Sequence, residues 1–399
     1  MSGHSATRTA NPPAFAALAA TIRSWRYEGG KRDLRFDLLR GFAVFAMVVD
    51  HVGGYSWLSY LSGGDRFYVS AAEAFVFLSG LLMGMVNGGL IRRGNVDGAL
   101  AKVLRRAGML YGLTVGLTLA TAALPVALGW AEGPPIARTS FVEYLVGILT
   151  LHQVAVFVDV LLLYTVLVLL AEPVLLLLEQ GYTRLVLGIS WGLWLIWQIW
   201  PGQAIVWPLD PAALFQVASW QVLFMNALVI GYHRRALERY FRLAASPRAL
   251  LVAGAALLGA IALFAAKLAP LAWLAPEGNT AYLTEWFLVK RDVGAGRLLV
   301  FAALIVTAFA LTSIFWRPIE RTVGRFLLPL GQNALSAYVI HIFIVYALHE
   351  IRTMIFDLHT PTWANTLIQA SGILLVWLAI RFWPTLTSSL ERLESSWAS

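Results

Sequence analysis

The sequence predicts an all-α polytopic membrane protein with about ten transmembrane helices and both termini cytoplasmic. Three observations carry this. Of 399 residues, 59% are hydrophobic and 13% charged, with a mean hydropathy of +0.71, whereas soluble domains carry about 25% charged residues. Apolar runs of spanning length recur along the chain. Positive charge falls unevenly on alternate connections between them.

The apolar runs lie at 38–54, 70–90, 108–128, 154–178, 183–200, 213–232, 249–269, 297–316, 329–348 and 365–383. A spanning helix needs about 20 apolar residues, so ten of them use about half the chain. The segment 141–153 is too short and mixed to span and is expected at the interface. With the N-terminus inside, 22 of the 30 Lys and Arg residues fall on the inner side and seven on the outer; Arg40 lies within the first run. That bias is the positive-inside signature. The expected division is a basic cytoplasmic tail at 1–35, a transmembrane domain at 36–384 and a cytoplasmic tail at 385–399. Trp57, Trp130, Trp200, Trp207, Trp286, Trp316 and Trp383 sit near run ends, as an interfacial belt would. Gly108, Gly112 and Gly116, spaced by four, suggest close helix packing.

Composition also excludes. There is no cysteine, hence no disulfide, thiolate zinc site or cysteine nucleophile. The formal net charge of +8 belongs to membrane orientation, and no nucleic-acid partner is expected. The short apolar stretch 14–22 leads into Arg23, Arg26, Lys31, Arg32 and Arg35, so a cleavable signal is not expected. No metal-ligand spacing, GxSxG or P-loop pattern is present.

Ionisable residues inside spans are functional candidates. The first run carries Asp37, Arg40, Asp50 and His51. At about 100° per residue Arg40 and His51 fall on one face, ~16 Å apart along the axis. Asp37 can pair with Arg40 at i, i+3, and the plain reading of that pair is an anchor setting helix depth. Glu73 opens the second run at the predicted depth of His51. A carboxylate beside an imidazole orients its tautomer and raises its basicity, the equipment for deprotonating a hydroxyl. The ninth run adds Asn333, Tyr338 and His341; for His341 a packing role and a chemical role are both open.

Three segments together resemble the acyltransferase 3 superfamily of integral-membrane acyltransferases. Arg40 and His51, ten residues apart within FDLLRGFAVFAMVVDH, resemble its R-x10-H element. AAEAFVFLSGLLMG resembles its second-span segment, and GQNALSAYVIHIFIV its late G-x-N segment. Within the superfamily, DLLRGFAVFAMVVDHVGG and FYVSAAEAFVFLSGLLMG look most like the OpgC branch, which resembles enzymes that succinylate osmoregulated periplasmic glucans. Where the family often has R-x-x-R, this chain reads Lys102-Val103-Leu104-Arg105-Arg106; lysine keeps the charge without the bidentate fork.

The resemblance implies a multi-pass protein of the bacterial inner membrane. It implies acyl-CoA, succinyl-CoA in this branch, as donor substrate, a periplasmic glucan as acceptor, and no permanently bound cofactor. His51 is then the general base, with Asp50 or Glu73 holding its tautomer, and an acyl-histidine intermediate is the alternative. Arg40, Asp37, Lys102, Arg105, Arg106 and Asn333 bind substrate together with Tyr338 and His341, which with backbone donors are the candidates for the oxyanion. Membrane lipid is a partner, and homo-oligomer formation is left open. The competing reading is a transporter or flippase of a glycan or lipid; against it stands the lack of an internal repeat.

Overall fold

The computed structural model describes residues 21, 23–30, 32–64, 67–128, 140–201, 214–356 and 360–382; the expected tails fall largely outside them, as do Trp130, Trp207 and Trp383. Among the described residues every regular element is helical. The principal helices are α1 (Leu34–Val52), α2 (Ala71–Ile91), α3 (Val96–Leu128), α4 (Phe141–Leu149), α5 (Asp159–Glu179), α6 (Thr183–Ile199), α7 (Val217–Tyr232), α8 (Pro247–Ala265), α9 (Ala295–Ile314), α10 (Arg325–Gln332), α11 (Ala334–Phe356) and α12 (Thr362–Phe382).

Each apolar run of the sequence is overlapped by helix, and seven described helices are long and apolar enough to cross a membrane: α2, α3, α5, α8, α9, α11 and α12. The chain is thus built as a multi-pass membrane protein. Of the other three, α1 carries charge at both ends, and α6 and α7 have 17 and 16 residues. The 141–153 segment holds only the nine-residue α4.

Local chemistry sets the helix ends. Asp33 caps α1, accepting from the Arg35 amide at 3.3 Å, and Gly53, at φ 71°, closes it. Ser70 and Glu73 form a capping box at the start of α2, satisfying amides that the first turn leaves open. The ninth run is not one helix, as the sequence suggested, but is broken at Asn333. α10 ends at Gln332, Asn333 leaves helical geometry at φ −117°, ψ 36°, and its side-chain amide donates to the Pro329 carbonyl at 3.0 Å.

The core is centred on α1, which packs against α2, α9, α10, α11 and α12. A Cβ at Gly331 would overlap the Asp37 carbonyl, and one at Gly41 the Leu327 carbonyl, so α1 and α10 meet backbone to backbone. Gly80, Gly84 and Gly231 do the same between α2 and α7. The glycine repeat singled out in the sequence does not: nothing lies within 4 Å of a Cβ built on Gly108, Gly112 or Gly116. The helix-packing expectation for that stripe is therefore corrected, since α3 turns it away from the other described helices. Trp316 also departs from the belt: it is buried, edge-on to Tyr27 with ring centroids 4.9 Å apart.

The two kinds of glycine should respond oppositely to one substitution. Gly331→Ala is expected to destabilise by ~1–3 kcal/mol through overpacking. Gly112→Ala should be neutral or stabilising by up to ~1 kcal/mol, because alanine favours the helix. Thermal unfolding of both variants in detergent checks this.

Candidate active site

The last turn of α1 brings His51 to His341 of α11. His51 Nδ1 lies 2.8 Å from His341 Nε2, and His341 Nδ1 is hydrogen-bonded to the Tyr338 carbonyl. A carbonyl only accepts, so the proton on that bond belongs to His341 Nδ1. Neutral His341 must then accept at Nε2, which places the His51 proton on Nδ1. His51 Nε2 is left with its lone pair, the form a general base needs. The orienting partner of the ring is therefore a second histidine, itself buried.

The other face of the His51 ring stacks on Phe157, with centroids 4.3 Å apart and planes at 28°. Phe157 has φ 67°, left-handed backbone that a non-glycine residue adopts only when its surroundings impose it. Its carbonyl accepts the Tyr338 hydroxyl. The proton of that hydroxyl and both nitrogens of His341 are thus committed. The expectation that either would serve an oxyanion is corrected: in this arrangement neither has a hydrogen to offer.

His51 lines a cavity of 170 Å³ together with Asp50, Ser70, Phe157, Asp159, Phe215 and Lys290. A second cavity, of 250 Å³, lies towards the opposite end of α1 and is lined by Arg40, Ser79, Arg106, Tyr164, Gln332, Asn333 and Ser336. Phe75, Val160 and Tyr338 border both, so these three side chains form the wall between them. Asp37 is buried and paired with Arg40, and it also takes Arg32 at 2.6 Å. Arg40 Nε is buried without a hydrogen-bond partner among the described residues. A buried unsatisfied donor is costly.

The expected site residues divide accordingly. His51 and Asp50 share the smaller cavity; Arg40, Arg106, Asn333 and Tyr338 share the larger; His341 holds His51, and Asp37 holds Arg40. Lys102 and Arg105 lie exposed on α3 and line neither. Glu73 does not reach His51. One of its oxygens accepts from the Ser70 amide at 2.9 Å and hydroxyl at 2.7 Å, and the other is paired with Arg297. The role of holding the His51 tautomer thus passes to His341, and Glu73 secures α2 to α9.

Sequence reasoning missed Phe157, Asp159 and Lys290. The two charges could have been noticed, since one opens and the other precedes an apolar run at the predicted level of His51. The backbone of Phe157 had no readable signal. Asp33 was missed as well. Besides capping α1 it pairs with Arg35 at 2.7 Å and with Arg234 beyond α7 at 3.1 Å.

Compared with known proteins, the chain matches a family model described as OpgC protein over residues 32–385. No curated protein and no solved structure matches it.

Two stability predictions follow from these pairs. Burial raises the Asp33 carboxyl, but hydrogen bonds and charge from Arg35 and Arg234 outweigh it, and the net shift is downward. A depressed carboxylate stabilises the fold above its unfolded value and stops doing so as pH falls through its folded value. The melting temperature of detergent-solubilised protein should therefore drop below about pH 4, and Asp33→Asn should flatten that slope. In the buried Glu73–Arg297 pair, Glu73→Gln alone should cost ~3–5 kcal/mol by stranding the guanidinium. Glu73→Gln combined with Arg297→Met should unfold later than Glu73→Gln alone; an equal or earlier transition would contradict the pairing.

Proposed function

The chain belongs to the OpgC protein family, and on that premise we propose that it is an acyl-CoA-dependent O-acyltransferase of the acyltransferase 3 superfamily. It moves a succinyl group from cytoplasmic acyl-CoA to a hydroxyl of a periplasmic glucan. In this reading the protein spans the bacterial inner membrane about ten times with both termini cytoplasmic, and it needs no resident cofactor. Family membership supports a glucan-modifying acyltransferase; the donor, the acyl group and the topology are our inference.

The observation that carries the reading is the proton order along Tyr338, His341 and His51, which leaves Nε2 of a cavity-lining His51 with its lone pair. The larger cavity takes the anionic donor, with Arg40 and Arg106 on its wall and basic residues concentrated on the proposed cytoplasmic side. Arg40 and His51 are separated by ~16 Å of helix, a span comparable with an extended pantetheine arm. The arm would pass the wall of Phe75, Val160 and Tyr338 to present its thioester to the base.

Transfer then needs one base. His51 Nε2 takes the proton of the sugar hydroxyl as its oxygen attacks the thioester carbonyl. The tetrahedral intermediate collapses, the C–O ester bond stays and the C–S bond breaks. The proton held on Nε2 goes to the departing thiolate, releasing CoA thiol. His341 keeps the ring in register through both steps. Asp50, on the same cavity wall, favours the imidazolium that forms between them.

His51→Ala should reduce glucan acylation by ~10²–10⁴-fold with CoA binding retained, and His341→Ala should lose less, because the base survives with a loosened tautomer. The readouts are mass spectrometry of periplasmic glucans and thioester-dependent release of CoA thiol by purified protein. Activity of folded His51→Ala within threefold of wild type at saturating acyl-CoA would sink the reading. A protein that moves glycan or lipid without releasing thiol would be the transporter instead.

A further inference from the structure

The smaller cavity carries one fixed cation among its described lining residues, Lys290. We propose that Lys290 receives the distal carboxylate of a dicarboxylic acyl group, so that this cavity selects carboxylate-terminated acyl chains over neutral ones of the same length. The proposal rests on the acyl-transfer reading above and assigns its acyl specificity to one residue.

The argument starts from reach. The thioester carbonyl must stand beside His51 for the base to act, so the far end of a short acyl chain ends within the same 170 Å³ cavity. A carboxylate there has left most of its water, and burying it is costly unless a cation and hydrogen-bond donors replace that water. Lys290 supplies both. The other charged groups on the wall, Asp50 and Asp159, are acceptors when ionised; they suit the hydroxyls of a sugar and repel a second anion. The wall therefore sorts ligand groups by charge, hydroxyls towards the two aspartates and the acyl carboxylate towards the lysine.

Lys290 is also held where it is. The ordinary fate of a loop lysine is to sit in solvent on a mobile stem, and the backbone that follows Lys290 is instead pinned on three consecutive residues. The Arg291 carbonyl accepts from Ser219 at 3.0 Å and from the Trp220 indole at 3.2 Å. The Asp292 carbonyl accepts from Gln198 at 2.6 Å and its carboxylate from the Trp197 indole at 2.9 Å. The Val293 carbonyl accepts from the Trp194 indole at 3.0 Å. Val293 is buried at φ 48°, a conformation that a β-branched residue accepts only under constraint. Five side chains of α6 and α7 thus fix the base of the lysine, the preorganisation a binding residue needs.

The test compares succinyl-CoA with butyryl-CoA, which have the same carbon count and differ in the terminal charge. Purified wild type, Lys290→Met and Lys290→Arg are assayed for kcat/KM of glucan acylation with each donor. Wild type should prefer succinyl. Lys290→Met should lose succinyl transfer by ~10–100-fold, the range of a charged hydrogen bond, and keep butyryl transfer within about threefold. Lys290→Arg should retain the preference. Parallel losses on both donors, an unchanged ratio, or a wild type that favours butyryl would overturn the proposal while acyl transfer stands. Recovery of both activities on adding Asp159→Asn to Lys290→Met would also overturn it, making the lysine a counter-ion to Asp159. A wild type that acylates with neither donor would instead remove the acyl-transfer reading, and this inference with it.

Discussion

A helix with charge at both ends cannot face hydrocarbon, and most of this structure answers that constraint on α1. Asp37 and Arg40 sit near one end, Asp50 and His51 at the other. An ionisable group inside a bilayer has to meet protein or a polar cavity. The fold provides both, by surrounding α1 with α2, α9, α10, α11 and α12. The glycine seam with α10 brings the Asn333 break beside Arg40, and the packing of α11 brings His341 onto His51. Sheathing the charges is therefore what assembles the site.

The polar groups of α1 are handled differently at its two ends. Asp37 is neutralised by two arginines, and its pairing with Arg40 fixes the direction in which Arg40 enters the larger cavity. At the other end the two histidines are held by a hydrogen bond between the rings and one to a backbone carbonyl. Hydrogen-bond directionality replaces charge pairing there: a backbone carbonyl, whose chemistry is fixed, dictates the tautomer of one ring and through it that of the next. A carbonyl only accepts, so while both rings are neutral it leaves a single proton order along the pair.

Much of the architecture was legible because lipid imposes a simple rule. Apolar runs of spanning length marked the helices, and the Arg40–His51 spacing placed a cation and an imidazole on one face. Asp37, three residues before Arg40, could be paired by helical geometry alone. What escaped had no local signature. Glu73 was read as a neighbour of His51 because depth along the membrane normal is visible in sequence, while azimuth between helices is not; α2 turns Glu73 towards Arg297 instead. The glycine repeat of α3 looked like packing because spacing says which residues share a face, not what that face meets. Phe157 escaped because a left-handed backbone at a phenylalanine is imposed by tertiary contacts, and the sequence there carries no glycine to announce it.

The wall of Phe75, Val160 and Tyr338 between the two cavities has an electrical consequence. In the proposed topology, with the larger hollow towards the cytoplasm and the smaller towards the opposite side, an energised bilayer would bring both bulk phases close together here. The potential would then drop mainly across the side chains that separate them. Moving one elementary charge through 100 mV is worth ~2.3 kcal/mol, so this thin layer would be the insulator of the whole bundle. Two of its three members are apolar, and the third, Tyr338, has its hydroxyl engaged by a backbone carbonyl. That composition interrupts any file of water along which protons could run.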